Sequence, residues 1–200
     1  MDLRHWSVAK VTAMNSMFSY CLNLDYINLT GWNTEKVSNI SNMFEYCHKL
    51  KIVYGIEDFK TNLCTSFAGL FLDNLYLRAL DLSKWNTEKL TGLNSTFYNC
   101  FTLKTLNVST WDTSKVTNIN GTFYYCYSLQ DLDLSSWSIP LVTNFANTFN
   151  GCKSLRRLNL NHWTSNDKIT TIGNAFSNCN NLEELYIENI ILTSKCTMIY

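Results

Sequence analysis

One repeating distance governs this sequence. Tryptophan stands at Trp6, Trp32, Trp85, Trp111, Trp137 and Trp163, and Phe59 fills the middle of the one long gap, so an aromatic residue returns every 26 or 27 positions. A phenylalanine keeps the same phase at Phe18, Phe44, Phe71, Phe97, Phe123, Phe149 and Phe176. Three residues later come Cys21, Cys47, Asn74, Cys100, Cys126, Cys152 and Cys179, and three further on stands a leucine in all seven copies, from Leu24 to Leu182. A chain with this self-similarity folds as a tandem array in which each unit buries its apolar face against its neighbours.

The unit beginning at Phe97 reads FYNCFTLKTLNVSTWDTSKVTNINGT. Its apolar residues alternate after the fixed leucine, as a short strand requires. The expected fold is therefore a leucine-rich-repeat-like solenoid, α/β or mostly β in a right-handed coil, with about seven 26-residue repeats and a parallel strand ladder. Residues 1–187 form the single solenoid and 188–200, which leave the repeat, a C-terminal cap. Single-residue insertions near Tyr54 and Gly55 and between Trp163 and Phe176 are expected as a bulge or a longer corner. With one proline and seven glycines in 200 residues, the turns fall to Asn, Asp and Ser.

Stacked coils turn each sequence column into a ladder with rungs about 4.8 Å apart. The leucines, the column from Val11 through Val116 to Ile169, and the column from Met14 through Ile119 to Ile172 are expected inside. The tryptophans read as interior corner fillers, with a sugar-stacking platform as the weaker alternative. The cysteines read as buried free thiols, since a single file of parallel side chains suits neither a tetrahedral metal cage nor a disulfide. Thr12, Ser38, Thr65, Thr91, Thr117, Thr143 and Thr170 form a hydroxyl column expected to bond along the ladder on an exposed edge. Binding of ice or glycan by that column is the weaker reading.

Charge narrows the function. Sixteen basic and sixteen acidic residues cancel, which disfavours a nucleic-acid reader. No apolar run is long enough for membrane insertion, and the first residues lack the apolar core of a secretory signal, so a place inside a cell or an assembly is expected over autonomous secretion. His5, His48 and His162 are the only histidines, and no nucleophile elbow, phosphate loop or zinc motif occurs, so no catalytic, cofactor-binding or metal residue is assigned. The column after the fixed leucine is different. It runs Asp25, Lys51, Arg78, Lys104, Gln130, Arg156, Glu183, and like charges stacked directly cost stability, so folding alone does not explain it. Asp81, Asp131 and Asp133 are expected to neutralise it, and the column reads first as a solvated charged face, with a protein-binding surface as the weaker alternative.

MFEYCHKL, LDLSKWNTEKL and WDTSKVTNI resemble the unit MFxxCxxLxxLDLSxWxTSxVTNM of BspA-type leucine-rich-repeat proteins, and the resemblance covers essentially the whole chain. The departures are Asn74 for cysteine, Phe59 for tryptophan, and Thr96, Thr122 and Thr148 where methionine is usual. The resemblance implies a non-enzymatic interaction or structural protein whose strand face meets protein partners. It places a contact stripe at Tyr26, Lys51, Arg78, Lys104, Asn107, Arg156, Arg157 and Tyr186. Relatives implied by it include adhesin-like surface proteins that bind host protein or glycan, and repeat proteins of large DNA viruses, where a minor capsid role is the alternative. MDLRHW aligns with LDLSKW, so the chain starts inside a repeat, and an open N-terminal coil is expected to pair with a copy of itself or another protein.

Overall fold

The structure, a computed structural model, describes residues 1–161, 163 and 168–186. The cap at 188–200, Cys196, His162 and most of the second insertion lie outside the described residues. Seven three-residue strands mark the repeats: β1 (Tyr26–Asn28), β2 (Ile52–Tyr54), β3 (Ala79–Asp81), β4 (Thr105–Asn107), β5 (Asp131–Asp133), β6 (Arg157–Asn159) and β7 (Glu184–Tyr186). They are parallel and paired in register one repeat apart, as β1–β2, β3–β4 and β5–β6–β7. At about 4.8 Å per rung the seven strands span roughly 30 Å. The mostly β form of the solenoid is the one that folds, and the only helical piece among the described residues is a 3-10 turn at Ile56–Asp58.

That turn takes up the first insertion. Gly55 enters it at φ 82°, and a Cβ there would lie 2.6 Å from the Thr30 backbone, so only glycine fits. β2 and β3 are thereby 27 residues apart instead of 26 and are not paired as strands.

The segment around each phenylalanine is neither helix nor strand, yet its backbone is accounted for. In one coil the amides of Leu93, Ser95, Phe97 and Asn99 donate to the carbonyls of Asn118, Asn120, Thr122 and Tyr124 in the next, while those of Thr96, Tyr98 and Cys100 close tight turns on Leu93, Ser95 and Phe97. Alternate amides thus bond between coils and within the coil. The arrangement needs two left-handed residues per repeat. One column is Ser16, Asn42, Gly69, Ser95, Gly121, Asn147 and Asn174; the other is Tyr20, Tyr46, Asp73, Asn99, Tyr125, Gly151 and Asn178, all at φ between 55° and 79°. Asn, Asp and Ser supply most of these positions, as the glycine-poor composition requires, and three glycines and three tyrosines supply the rest.

The core is a set of ladders. Successive phenylalanines from Phe18 to Phe176 stack with centroids 5.4–6.0 Å apart. Trp32, Trp85, Trp111, Trp137 and Trp163 are buried corner fillers, and each indole N–H donates to a carbonyl of the preceding coil, from Leu3 for Trp32 to Leu134 for Trp163. The interior columns are buried as expected from Met14 to Phe145 and from Val37 to Ile169, with Val11 and Ile172 at the ends half-buried. Thr96, Thr122 and Thr148 replace methionine without an unpaired hydroxyl, because each Oγ1 meets two carbonyls, for Thr122 those of Leu93 and Ile119. The threonine two residues after the corner aromatic, at Thr34, Thr61, Thr87 and Thr113, is also buried and bridges coils: Thr113 donates to the Ser138 carbonyl and accepts from the Ser138 amide.

The described cysteines are free thiols, buried at Cys47, Cys64, Cys100, Cys126 and Cys152 and half-buried at Cys21 and Cys179 toward the ends. Cys47, Cys100, Cys126, Cys152 and Cys179 each donate S–H to the phenylalanine carbonyl of the coil below, at 3.0–3.2 Å. Asn74 keeps the pattern, since its Nδ2 donates to the Phe44 carbonyl at 2.8 Å. Burial pushes the Cys47 thiol up to about 12, Cys64 and Cys179 up to about 11, and Cys100, Cys126 and Cys152 upward as well. The thiolate is the reactive form. A disulfide-exchange reagent at pH 8 is therefore expected to leave Cys47, Cys64, Cys100, Cys126 and Cys152 unlabelled in the folded protein and to reach them only on unfolding, as peptide mass spectrometry would show. Prompt labelling of Cys126 would contradict the ladder.

Candidate binding surface

Each described strand up to β6 buries its central residue and turns the flanking ones outward, so the strands present two columns to solvent. The first is Tyr26, Ile52, Ala79, Thr105, Asp131, Arg157 and Glu184; the second is Asn28, Tyr54, Asp81, Asn107, Asp133, Asn159 and Tyr186. The column from Asp25 to Glu183 lies immediately before the strands and extends their ladder: the Lys51 amide donates to the Asp25 carbonyl, Lys104 to Arg78 and Arg156 to Gln130. All eight residues expected in the contact stripe are exposed on this one face.

The acids do not neutralise the basic column, contrary to expectation. Asp81 and Asp133 each accept from the amide two residues on, at Ser83 and Ser135, which closes the exit turn of the strand. Hydrogen bonds from Ser83 and Ser135 hold both carboxyls below the usual carboxylate range. Asp131 pairs with Arg157 at 3.5 Å, and Lys84 with Asp58 at 2.7 Å. Among the described residues no carboxylate pairs with Lys51, Arg78, Lys104 or Arg156. The short polar side chains of the exit column prefer their own turn, so the cations remain open to solvent.

Within the stripe the residues differ in freedom. Asn107 accepts from Ser109, Arg157 holds Asp131, and the Tyr186 hydroxyl donates to Glu184 at 2.9 Å. The open members are Lys51, Arg78, Lys104, Arg156 and Tyr26. Ile52 and Tyr54, which the stripe omitted, are 44% and 47% exposed and lie beside them. The alternation in LKIVYG, with Val53 as the buried member, carries the signal that finds them.

Shallow grooves lie along the strand face. One of about 270 Å³ between β2 and β3 carries Ile52 and Ile56 with Glu57, Asp81 and Lys84 in its lining; another of about 620 Å³ across β3, β4 and β5 carries Lys104 with Asp81, Asp131 and Asp133. Both border Ala79, Leu80 and Asp81 of β3.

The hydroxyl column behaves as expected. Ser38, Thr91, Thr117, Thr143 and Thr170 each donate to the carbonyl of the same column one coil below. Its hydroxyls are spent on the ladder. On the turn side, Tyr98 stacks on Tyr124 at 4.4 Å, Phe101 on Tyr127 at 4.9 Å, and Lys153 Nζ sits 4.4 Å over the Tyr127 ring. Hydrogen bonding with Tyr125 and burial push the Tyr124 phenol well above its ordinary value. These rings stack on one another along the ladder. Trp6, 47% exposed, stacks on Trp32 at 6.5 Å in the first coil.

Among the described residues no three of His, Cys, Asp and Glu gather to hold a metal ion, and no helix is long and apolar enough to cross a membrane. A family model described as "Mycoplasma protein of unknown function, DUF285" matches residues 1–75 and 65–189. No curated protein sequence matches the chain. A crystal structure of a leucine rich cell surface protein from Faecalibacterium prausnitzii A2-165 is similar at 21% identity and a TM-score of 0.48, over 88% of this chain and 57% of that one. The chain therefore spans little more than half of that protein's length.

Proposed function

The chain belongs to the DUF285 family, and on that premise we propose that it is a non-enzymatic recognition module whose strand face docks a protein partner. The observation that carries this is the open basic column. Arg78 and Lys104 stand on adjacent rungs, joined by the bond from the Lys104 amide to the Arg78 carbonyl, Lys51 holds the same position one coil earlier, and none of the three has a carboxylate partner among the described residues. The buried columns of the repeat have a folding role in packing, and the threonine, cysteine and corner tryptophan columns one in hydrogen bonding between coils. Charge kept at a cost to the fold, beside exposed Tyr26, Ile52 and Tyr54, is what a recognition surface requires.

The same face serves a neighbouring copy, a shell subunit or a host protein. Photo-crosslinking separates it from the rest of the rod. With p-benzoylphenylalanine placed at Ala79 or Thr105 on the strands, or at Lys89 or Lys115 on the far corner, in the native host, the expected result is a discrete adduct from the two strand positions alone. Adducts from the corner and none from the strands would overturn the assignment, and mass spectrometry of the adduct identifies the partner.

A further inference from the structure

The turn side of the rod carries tyrosines that the fold does not require. Tyr20 and Tyr46 stand at φ 60° and 56°, the left-handed backbone that Asp73, Asn99, Gly151 and Asn178 hold in the same column, so a ring there costs the fold. Burial does not offset that cost at Tyr20, which is 63% exposed. The rings instead pair across coils. Tyr20 lies face to face with Tyr46 at 4.6 Å between ring centres and 20° between planes, and Tyr98 with Tyr124 at 4.4 Å and 16°. Each pair joins residues 26 positions apart on neighbouring coils, and Tyr46, Tyr98 and Tyr124 are half-buried, so solvent reaches all four rings.

We propose that Tyr20–Tyr46 and Tyr98–Tyr124 are modification sites, at which one-electron oxidation joins neighbouring coils through a dityrosine bond. The oxidant is hydrogen peroxide acting through a haem peroxidase. Each phenol gives up one electron and its hydroxyl proton, and the unpaired electron of the resulting phenoxyl radical is shared with the ring carbons ortho to oxygen. The two radicals join at those carbons, each joined carbon releases its hydrogen as a proton, and each ring oxygen takes a proton back. The chain loses two hydrogen atoms per bond, and one peroxide is reduced to two waters. The stack supplies the geometry. Parallel rings in contact set the ortho carbons of one beside the other, and surface side chains reorient in picoseconds to nanoseconds, so a tilt of one ring brings them together. Tyr125 lies 4.1 Å from Tyr124, but a bond between sequence neighbours closes a strained small ring, which favours the partner on the next coil. Phe101 on Tyr127 is the same stack at 4.9 Å and 12° with a phenol on one side alone, so it does not couple. Each bond closes a loop that spans one repeat, which restricts the unfolded chain more than the folded one.

The test treats the dilute, folded chain with hydrogen peroxide and a haem peroxidase and maps the products by peptide mass spectrometry. The expected product is a monomer lighter by two hydrogen atoms per bond, with Tyr20 joined to Tyr46 and Tyr98 to Tyr124. Tyr46→Phe keeps the stack and is expected to lose the first bond alone; Tyr124→Phe is expected to lose the second alone. Phe101→Tyr is expected to gain a third bond, to Tyr127, which a merely exposed and reactive tyrosine surface does not predict. Tyr26, Tyr54 and Tyr76 are 46%, 47% and 51% exposed and stack on no second tyrosine among the described residues, so they serve as the comparison within the same chain. Coupling chiefly between molecules through these three overturns the proposal. So does a Tyr124–Tyr125 bond in place of Tyr98–Tyr124, or the two proposed bonds formed as readily in urea as in the folded chain.

Discussion

Trp137→Ala is expected to lower the free energy of unfolding by about 3–5 kcal/mol, as read from a urea transition followed by far-UV circular dichroism. Trp137 is fully buried, lies between Trp111 at 5.9 Å and Trp163 at 6.1 Å, and donates its indole N–H to the Val108 carbonyl at 3.2 Å. Truncation removes the largest side chain of its coil, and a coil in the middle of a ladder has two neighbours that lose contact with it. Trp137→Phe is expected to cost much less, about 1–2 kcal/mol. The protein already carries that exchange at Phe59, which stacks on Trp32 at 6.3 Å and is buried. The Val108 carbonyl also keeps the Trp111 amide as a donor, so no buried acceptor is stranded. Equal losses for the two variants would mean that the hydrogen bond and not the ring holds the corner.

The second large effect is expected at Gly55. Gly55→Val places a β-branched side chain at φ 82°, with its Cβ 2.6 Å from the Thr30 backbone, so the strand exits of two coils must move apart. A loss of at least about 2 kcal/mol is expected. Gly31 provides the control. It has φ 86° with nothing near a new Cβ, so Gly31→Ala carries only the left-handed penalty of about 1 kcal/mol. Comparable losses at the two sites would show that the close approach at Thr30 is relieved cheaply.

Much of this fold is legible in the sequence because a stacked repeat writes each structural role as a column. The tryptophan, phenylalanine, cysteine and leucine columns each announce an interior ladder, and the structure places them there. Tyr20, Tyr46 and Tyr125 announce nothing of the left-handed backbone they adopt, since the local preference there is for Gly, Asn or Asp. The requirement comes from the alternation of amides within and between coils, which is visible only once the coils are stacked. The threonine of each W-x-T is hidden for the same reason: its hydroxyl is buried against the next coil, 25 or 26 residues away. The eight-residue contact stripe is recognisable in the sequence as a face. Which of its members are open is not, because that depends on Asp81 and Asp133 turning to Ser83 and Ser135 and away from the cations.

The central claim is that the basic column is surplus to the fold and so available to a partner. The most direct measurement is the urea unfolding free energy of Lys51→Gln, Arg78→Gln, Lys104→Gln against the parent chain at low salt. Removing these like charges, two of them on joined rungs, is expected to leave stability unchanged or raise it by a few tenths of a kcal/mol. A loss of more than about 1 kcal/mol would mean that the cations hold the solenoid together, and the assignment of this face to recognition would lose its ground.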